Sequence, residues 1–151
     1  MSLREAGGLD PQTRAFVYRH IVDHGRPPTV AETATGMDLP ANDVQAAYGR
    51  LHDGHALLLD PGAHTIRMAW PFSGVPTPFR VQANGRRYWA NCAWDALGIP
   101  ALLQTDARID SVFADTGEPV TLTVVDSRVQ GQALAHFAVP FRRWYTDLVF
   151  T

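Results

Sequence analysis

The chain of 151 residues contains no lysine, and all 13 of its basic residues are arginines. Without lysine it can neither form a Schiff base nor use the lysine of a phosphate-binding P-loop. We attribute the missing lysine to the codon bias of a GC-rich genome. Cys92 is the one cysteine, which excludes an intramolecular disulfide and a zinc site built from several cysteines.

Long apolar runs and an excess of positive charge are missing as well. The longest apolar runs are a few residues, such as 56–59, whereas spanning a bilayer takes roughly 20. The N-terminal sequence lacks the pattern of a secretory signal. We therefore expect a soluble, cytoplasmic protein with no membrane partner, and an unpaired cysteine suits that reducing compartment. The net charge of −2 does not favour nucleic acid as a partner.

Enough hydrophobic residues are present for a buried core, at 46% of the chain against 19% charged residues. The segment 71–78, PFSGVPTP, holds three prolines and one glycine, a composition typical of linkers and turns. We predict an α+β fold with a helical module over 1–70, a linker over 71–78 and a second module over 79–151.

The first module is predicted to contain three helices and a hairpin. Thr29 and Glu32 have the spacing of a capping box at the start of the second helix. Asp60-Pro61-Gly62 lies between two strand-like runs and predicts the hairpin. The expected helices run from Asp10 to Gly25, from Val30 to about Thr35 with Gly36 ending it, and from about Pro40 to His52.

Three helices followed by a hairpin are the plan of a winged helix, so DNA binding is one hypothesis. A recognition helix presents basic and amide side chains to the phosphates and base edges. Up to residue 77, however, six arginines face eight acidic residues. A helical module that packs against the second module is the alternative.

The second module is predicted to be a small, mostly antiparallel sheet packed on a short helix that carries Cys92. Asn84-Gly85 predicts a tight turn, and Gly98 and Pro100 are expected to stop the helix. The predicted elements are a strand over Phe79–Ala83, the helix over Arg86–Leu97, and strands over 107–113, 120–125 and 133–139.

Cys92 and Asp95 lie three residues apart and would share one face of that helix. A carboxylate beside a thiol can take the thiol proton as a soft electrophile binds sulfur, then deliver it to a leaving carbon. The same pair could also coordinate a soft metal through two ligands, one sulfur and one oxygen. The alternative is structural, because free cysteine often packs as a small hydrophobic side chain.

The sequence around this pair resembles the alkylmercury (organomercurial) lyase family. The shared pattern is Cys-x-x-Asp-x-Leu-x-x-Pro-Ala-Leu from Cys92, followed by Thr-Gly-x-Pro-Val-x-Leu-Thr-Val from Thr116. Gly25-Arg-Pro and Leu39-Pro-Ala-x-x-Val extend the resemblance, which covers roughly residues 20 to 140.

The resemblance implies protonolysis of carbon–mercury bonds in a small organomercurial substrate, with no cofactor. Cys92 would bind mercury, and Asp95 would help to hold it and carry the proton. The family also uses a second active-site cysteine late in the chain, near where these residues stop, and a bulky aromatic side chain where Asn91 stands. An external thiol could supply the missing ligand, or the fold could serve another small substrate. A winged-helix regulator that senses metal remains a further alternative.

Three histidines are further candidate ligands. His136 could replace a ligand or base if its side chain points toward Cys92. His20 and His24 have metal-ligand spacing but lack an obvious third ligand. We expect Trp89, Trp94 and Phe113 in the core, and 142–145 at a solvated strand end.

Overall fold

A computed structural model describes residues 8–137 and 139–148. Helices and one sheet make up the fold. The helices are α1 (Leu9–His24), α2 (Val30–Met37), α3 (Ala41–Asp53), α4 (Ala93–Leu103) and a 3-10 helix (Phe141–Thr146). The strands are β1 (Leu58–Leu59), β2 (Ile66–Ala69), β3 (Phe72–Ser73), β4 (Phe79–Ala83), β5 (Arg86–Ala90), β6 (Ala107–Val112), β7 (Pro119–Val125) and β8 (Arg128–Gln130). The predicted α+β class is confirmed.

Among the described residues, the eight strands form one antiparallel sheet, in the order β1-β2-β3-β5-β4-β6-β7-β8. Within the segment predicted as a linker, β3 pairs with β2 on one side and with β5 on the other. The sheet therefore continues across the segment 71–78, and the division of the chain into two modules stays a prediction.

The helical part and the sheet share one hydrophobic core. Val17, Ile21 and Tyr48 from the helices are buried in the same cluster as Phe72 and Tyr88 from the strands. Two tyrosine hydroxyls in this region donate to the backbone of the other part: Tyr18 to the Trp70 carbonyl at 2.6 Å and Tyr88 to the Val22 carbonyl at 3.0 Å. These contacts hold α1 against β5 and against the residue that follows β2.

The first module has the predicted order of three helices followed by an antiparallel hairpin. The capping box of α2 is confirmed, since the Thr29 hydroxyl accepts from the Glu32 amide at 3.1 Å and the Thr29 amide donates to the Glu32 carboxylate at 2.8 Å. The expectation that Gly36 ends this helix was wrong. Gly36 lies inside α2, at a position where a Cβ would collide with the ring of Phe16.

The helix predicted over Arg86–Leu97 was wrong at both ends. Arg86–Ala90 forms β5, which pairs with β4 from Ala83↔Arg86 to Phe79↔Ala90 across the predicted tight turn. The helix α4 begins after Cys92 and continues past Gly98 and Pro100 to Leu103. Gly98 allows α4 to approach Pro71, because a Cβ at that position would stand 3.3 Å from the Pro71 side chain.

The strands predicted over 107–113 and 120–125 correspond to β6 and β7. The strand predicted over 133–139 was not found: residues 132–137 have no strand assignment, and residue 138 lies outside the described residues. The expected strand end at 142–145 is instead part of the 3-10 helix.

Candidate active site

Cys92 occupies the N-cap of α4, at the junction between β5 and the helix. Because Ala90 is paired to both β3 and β4, the backbone that enters this junction is held on two sides. Cys92 itself is half-buried. The thiol therefore stands at the end of a fixed strand, beside the exposed amides of a helix start.

Asp95 lies in the first turn of α4, three residues after Cys92, which is the N-cap of this helix and not part of it as predicted. Its carboxylate oxygen Oδ2 accepts a hydrogen bond from the side-chain amide of Asn91, with 3.0 Å between Nδ2 and Oδ2. The neighbouring Cys92 thiol acts to lower the pKa of this carboxyl. The helix thus brings the thiol, the carboxylate and one amide into a single cluster.

Asn91 is the residue of this cluster that sequence reasoning missed. Its Nδ2 also lies 3.3 Å from the carbonyl oxygen of Phe72 and 3.4 Å from that of Pro71. The sequence signal was the asparagine itself, which departs from the aromatic residue that the resemblance led us to expect. Its backbone partners in and beside β3 could not be foreseen, because they are about 20 positions away in the chain.

A cavity of about 260 Å³ opens onto this cluster, and most of its lining is aromatic or apolar. The walls come from three parts of the chain: the end of β2, the start of α4 and the segment from Phe137 onward. The residues that line it are Met68, Trp70, Asn91, Cys92, Trp94, Asp95, Phe137, Phe141, Trp144, Tyr145 and Leu148. An apolar cavity with a few polar groups at one end is the usual form of a small-molecule site.

The expectation that Trp94 is a core residue was wrong. Its side chain is 67% exposed, and it lines the cavity together with Phe141 and Tyr145, which are also exposed. Position 94 precedes Asp95 in the first turn of α4 and faces outward, so the indole cannot reach the core. Trp89 and Phe113 are half-buried.

Burial determines the protonation of the two reactive groups. It raises the pKa of the Asp95 carboxyl, and hydrogen bonds from Asn91 and Cys92 oppose that effect only in part. Burial also raises the pKa of the Cys92 thiol, while the backbone amides of Asp95 and Trp94 act to lower it. The thiol therefore stays protonated at neutral pH until a ligand binds, and the carboxyl is shifted toward its acid form.

His136, expected as an auxiliary ligand or base if it pointed toward Cys92, does not line the Cys92 cavity. Its side chain is exposed and borders a different cavity, with Phe113 and Asp115. The reason is that the strand expected to carry it is not formed. Over residues 8–137 and 139–148, no group of three or more histidine, cysteine, aspartate or glutamate side chains could hold a metal ion.

His20 and His24 do not line the Cys92 cavity either. Their rings stack with 4.1 Å between centroids, and Nδ1 of His24 lies 3.0 Å from the backbone oxygen of His20. His20 is buried within the helical part. The pair thus belongs to the packing of α1, away from the Cys92 cavity.

The structure also weakens the case for DNA recognition by α3. Arg50 is the arginine of that helix, and its guanidinium forms three hydrogen bonds to the Asp10 carboxylate, between 2.7 and 3.1 Å long. A guanidinium held in this way is less available to phosphates or base edges.

Comparison with known proteins places the chain in a family. The family model of alkylmercury lyases matches residues 72–148, which include Cys92, Asp95 and most of the cavity lining. The chain therefore belongs to the alkylmercury lyase family, as its sequence pattern indicated.

Individual relatives agree with this assignment. The chain is 30% identical over 129 residues to the alkylmercury lyase of Streptomyces lividans, covering 82% of this chain and 56% of the relative. It is 31% identical over 110 residues to the alkylmercury lyase of Staphylococcus epidermidis, covering 68% and 50%. The chain thus spans about half the length of these relatives.

A crystal structure of the mercury-bound form of MerB2 has the same fold. It aligns with a TM-score of 0.66 and 23% identity, over 85% of this chain and 62% of the other.

None of the helices in the described part of this chain has the length and apolar character needed to cross a membrane.

Proposed function

We propose that this protein cleaves carbon–mercury bonds by protonolysis, with Cys92 as the mercury ligand and Asp95 as the proton carrier. One observation carries the proposal: the thiol and the carboxyl form one cluster, and both open into the same aromatic cavity. Membership of the alkylmercury lyase family supports it.

The first step joins the substrate to the protein. The sulfur of Cys92 bonds to the mercury of an organomercurial, the group opposite the carbon leaves as an anion, and the thiol proton passes to the Asp95 carboxylate. A thiolate suits mercury because both are soft. The raised pKa of Asp95 favours this transfer, since burial makes the carboxyl a better proton acceptor than an exposed one.

The second step breaks the carbon–mercury bond. Asp95 donates its proton to the carbon as the bonding pair moves from mercury to that carbon, and a hydrocarbon leaves. Mercury(II) remains on Cys92, next to the regenerated carboxylate. External thiolates then bond to the metal and remove it, and the Cys92 thiolate left behind takes a proton from solvent. The external thiol takes the place of a second cysteine, which these 151 residues do not contain.

The cavity selects the organic group of the substrate. Trp94, Phe141 and Trp144 offer flat apolar surfaces beside the thiol, and aromatic side chains pack favourably on other rings. A volume of about 260 Å³ accommodates a phenyl group. We therefore propose that arylmercurials are turned over better than methylmercury.

The experiment measures benzene released from phenylmercury acetate in the presence of excess small thiol. The wild-type protein should release many equivalents of benzene. Asp95→Asn should still bind one phenylmercury at Cys92, seen by mass spectrometry, but release benzene at least about 100-fold more slowly because the general acid is missing. Asp43→Asn, which changes an exposed carboxylate of α3, is the matched control and should behave as the wild type.

Two results would contradict the proposal. One is a wild-type protein that carries phenylmercury on Cys92 and releases no benzene in excess thiol. The other is an Asp95→Asn protein that works at the wild-type rate, which would remove Asp95 from the reaction.

A further inference from the structure

The side chain of Asn91 is anchored to the backbone of a neighbouring strand. Its Nδ2 is within 3.4 Å of the Pro71 and Phe72 carbonyl oxygens as well as 3.0 Å from Oδ2 of Asp95. An amide nitrogen has two hydrogens. One can be shared between the adjacent carbonyls, which leaves the other for the carboxylate. The donor that Asp95 meets is therefore fixed to the sheet.

An anchored donor restricts the carboxylate. An aspartate side chain has three staggered wells at its first torsion, and its terminal torsion is broad with no sharp preference of its own. A hydrogen bond at Oδ2 to a fixed amide selects one orientation, and it leaves Oδ1 as the oxygen that exchanges a proton with the thiol and the substrate carbon. Proton transfer depends steeply on such orientation.

The amide is not a good structural residue at this position. Its own oxygen, Oδ1, is buried and has no hydrogen-bond partner in the part of the chain that the structure describes. A buried polar atom without a partner destabilises a fold. Asn91 thus lowers stability through one end of its amide while the other end bonds to Asp95, and such a local conflict is expected at functional sites.

From these contacts we infer that Asn91 is a positioning residue: anchored on the carbonyls of Pro71 and Phe72, it holds the Asp95 carboxyl in the orientation that delivers a proton to the mercury-bound carbon. The inference rests on the proposed lyase function for its consequence, but the positioning itself can be measured without any turnover.

The kinetic test is a double-mutant cycle with Asn91→Leu, Asp95→Asn and the combination. Asn91→Leu should bind phenylmercury with unchanged stoichiometry, keep KM within about threefold and lose about 10- to 100-fold in kcat. Its solvent deuterium isotope effect should rise as proton transfer becomes limiting. If Asn91 acts through Asp95, the double variant is no slower than Asp95→Asn alone. Losses that multiply, or an unchanged kcat in Asn91→Leu, would overturn the inference.

The second test needs no activity. Hα–Hβ couplings of Asp95 measured by NMR report its first side-chain torsion, and they should show one rotamer in the wild type and averaging in Asn91→Leu. Asn42→Leu, at an exposed position of α3, is the control and should leave the couplings unchanged. If the leucine variant does not fold, Asn91→Ala carries the same expectation.

These readouts separate the two proposals. A wild-type protein without benzene release, but with Asp95 couplings that average when Asn91 is removed, refutes the lyase function and leaves the positioning role. Couplings that are the same in wild type and variant refute the positioning role, whatever the activity.

Discussion

Two helices of this protein begin with the same arrangement of a small polar residue and an acid three positions later, yet the two starts differ in use. At α2, Thr29 and Glu32 bond to each other's backbone amides and close the helix end. At α4, Cys92 and Asp95 occupy the corresponding positions, but Cys92 makes no capping hydrogen bond through its side chain and Asp95 bonds to Asn91.

The surroundings explain the difference. Glu32 is at the surface, where Arg26 and the Thr29 amide hold its pKa well below the ordinary value of 4.5. Burial instead raises the pKa of Asp95 above its ordinary value of 3.8. One helix start therefore stabilises the fold with a charged carboxylate. The other leaves its thiol and its acid free to act on a ligand, at some cost in stability.

Replacing the thiol by the hydroxyl that caps ordinary helices gives the largest expected effect. Cys92→Ser should lower benzene release from phenylmercury at least about a thousandfold, because serine does not bind mercury as a thiolate does. Its midpoint of thermal unfolding should stay the same or rise, since serine is a preferred N-cap residue. A serine variant that unfolds before the assay temperature would show that the thiol is needed for packing.

Removing the side-chain cap at the other helix start, that of α2, should affect stability alone. Thr29→Ala removes the side-chain cap of α2 and should lower the free energy of unfolding by about 1 kcal/mol, measured by urea denaturation. Turnover of phenylmercury should not change, because α2 does not line the Cys92 cavity. A loss of activity well below the unfolding midpoint would mean that the two helix starts are coupled.

The smallest expected effect is on the pH dependence of folding stability, which should have opposite signs at the two helix starts. Glu32 has a lowered pKa in the folded state, so its contribution to stability is present above about 4.5 and lost as the pH falls through the folded value. Asp95 has a raised pKa, so it destabilises the folded state at neutral pH, and that cost disappears as the pH falls through its folded value toward 3.8.

Thermal unfolding of two variants across pH 3 to 8 measures these signs. Glu32→Gln should be less stable than the wild type at neutral pH, by a few tenths of a kcal/mol for an exposed pair. Asp95→Asn should be more stable at neutral pH. Both differences should shrink in acid. A stabilising Glu32→Gln or a destabilising Asp95→Asn would reverse the assignment of the two helix starts.

The comparison also shows which parts of the molecule could be predicted from sequence. The capping box at Thr29 depends on four consecutive residues, and it was predicted correctly. The pairing of Cys92 with Asp95 depends on a single helical turn, and the family pattern pointed to it as well. Their juxtaposition follows from local backbone geometry alone.

The errors lie where distant segments decide the structure. Arg86–Ala90, predicted as the start of a helix, forms a strand because it pairs with β3 and β4. Asn91 gains its role from carbonyls about 20 residues earlier. The aromatic wall from Phe141 to Tyr145 reaches the cavity only through tertiary packing, which no periodicity encodes.

The cavity joins segments that are far apart in the chain, and this has a consequence for how substrate range can change. The thiol and the acid lie at the start of α4, whereas much of the aromatic wall comes from Phe137, Phe141, Trp144 and Tyr145. Substitutions in that wall can alter which organic groups fit without moving either reactive atom. Reactivity and selectivity can therefore diverge separately, and variants with new substrate preferences are best sought among Phe137, Phe141, Trp144 and Tyr145.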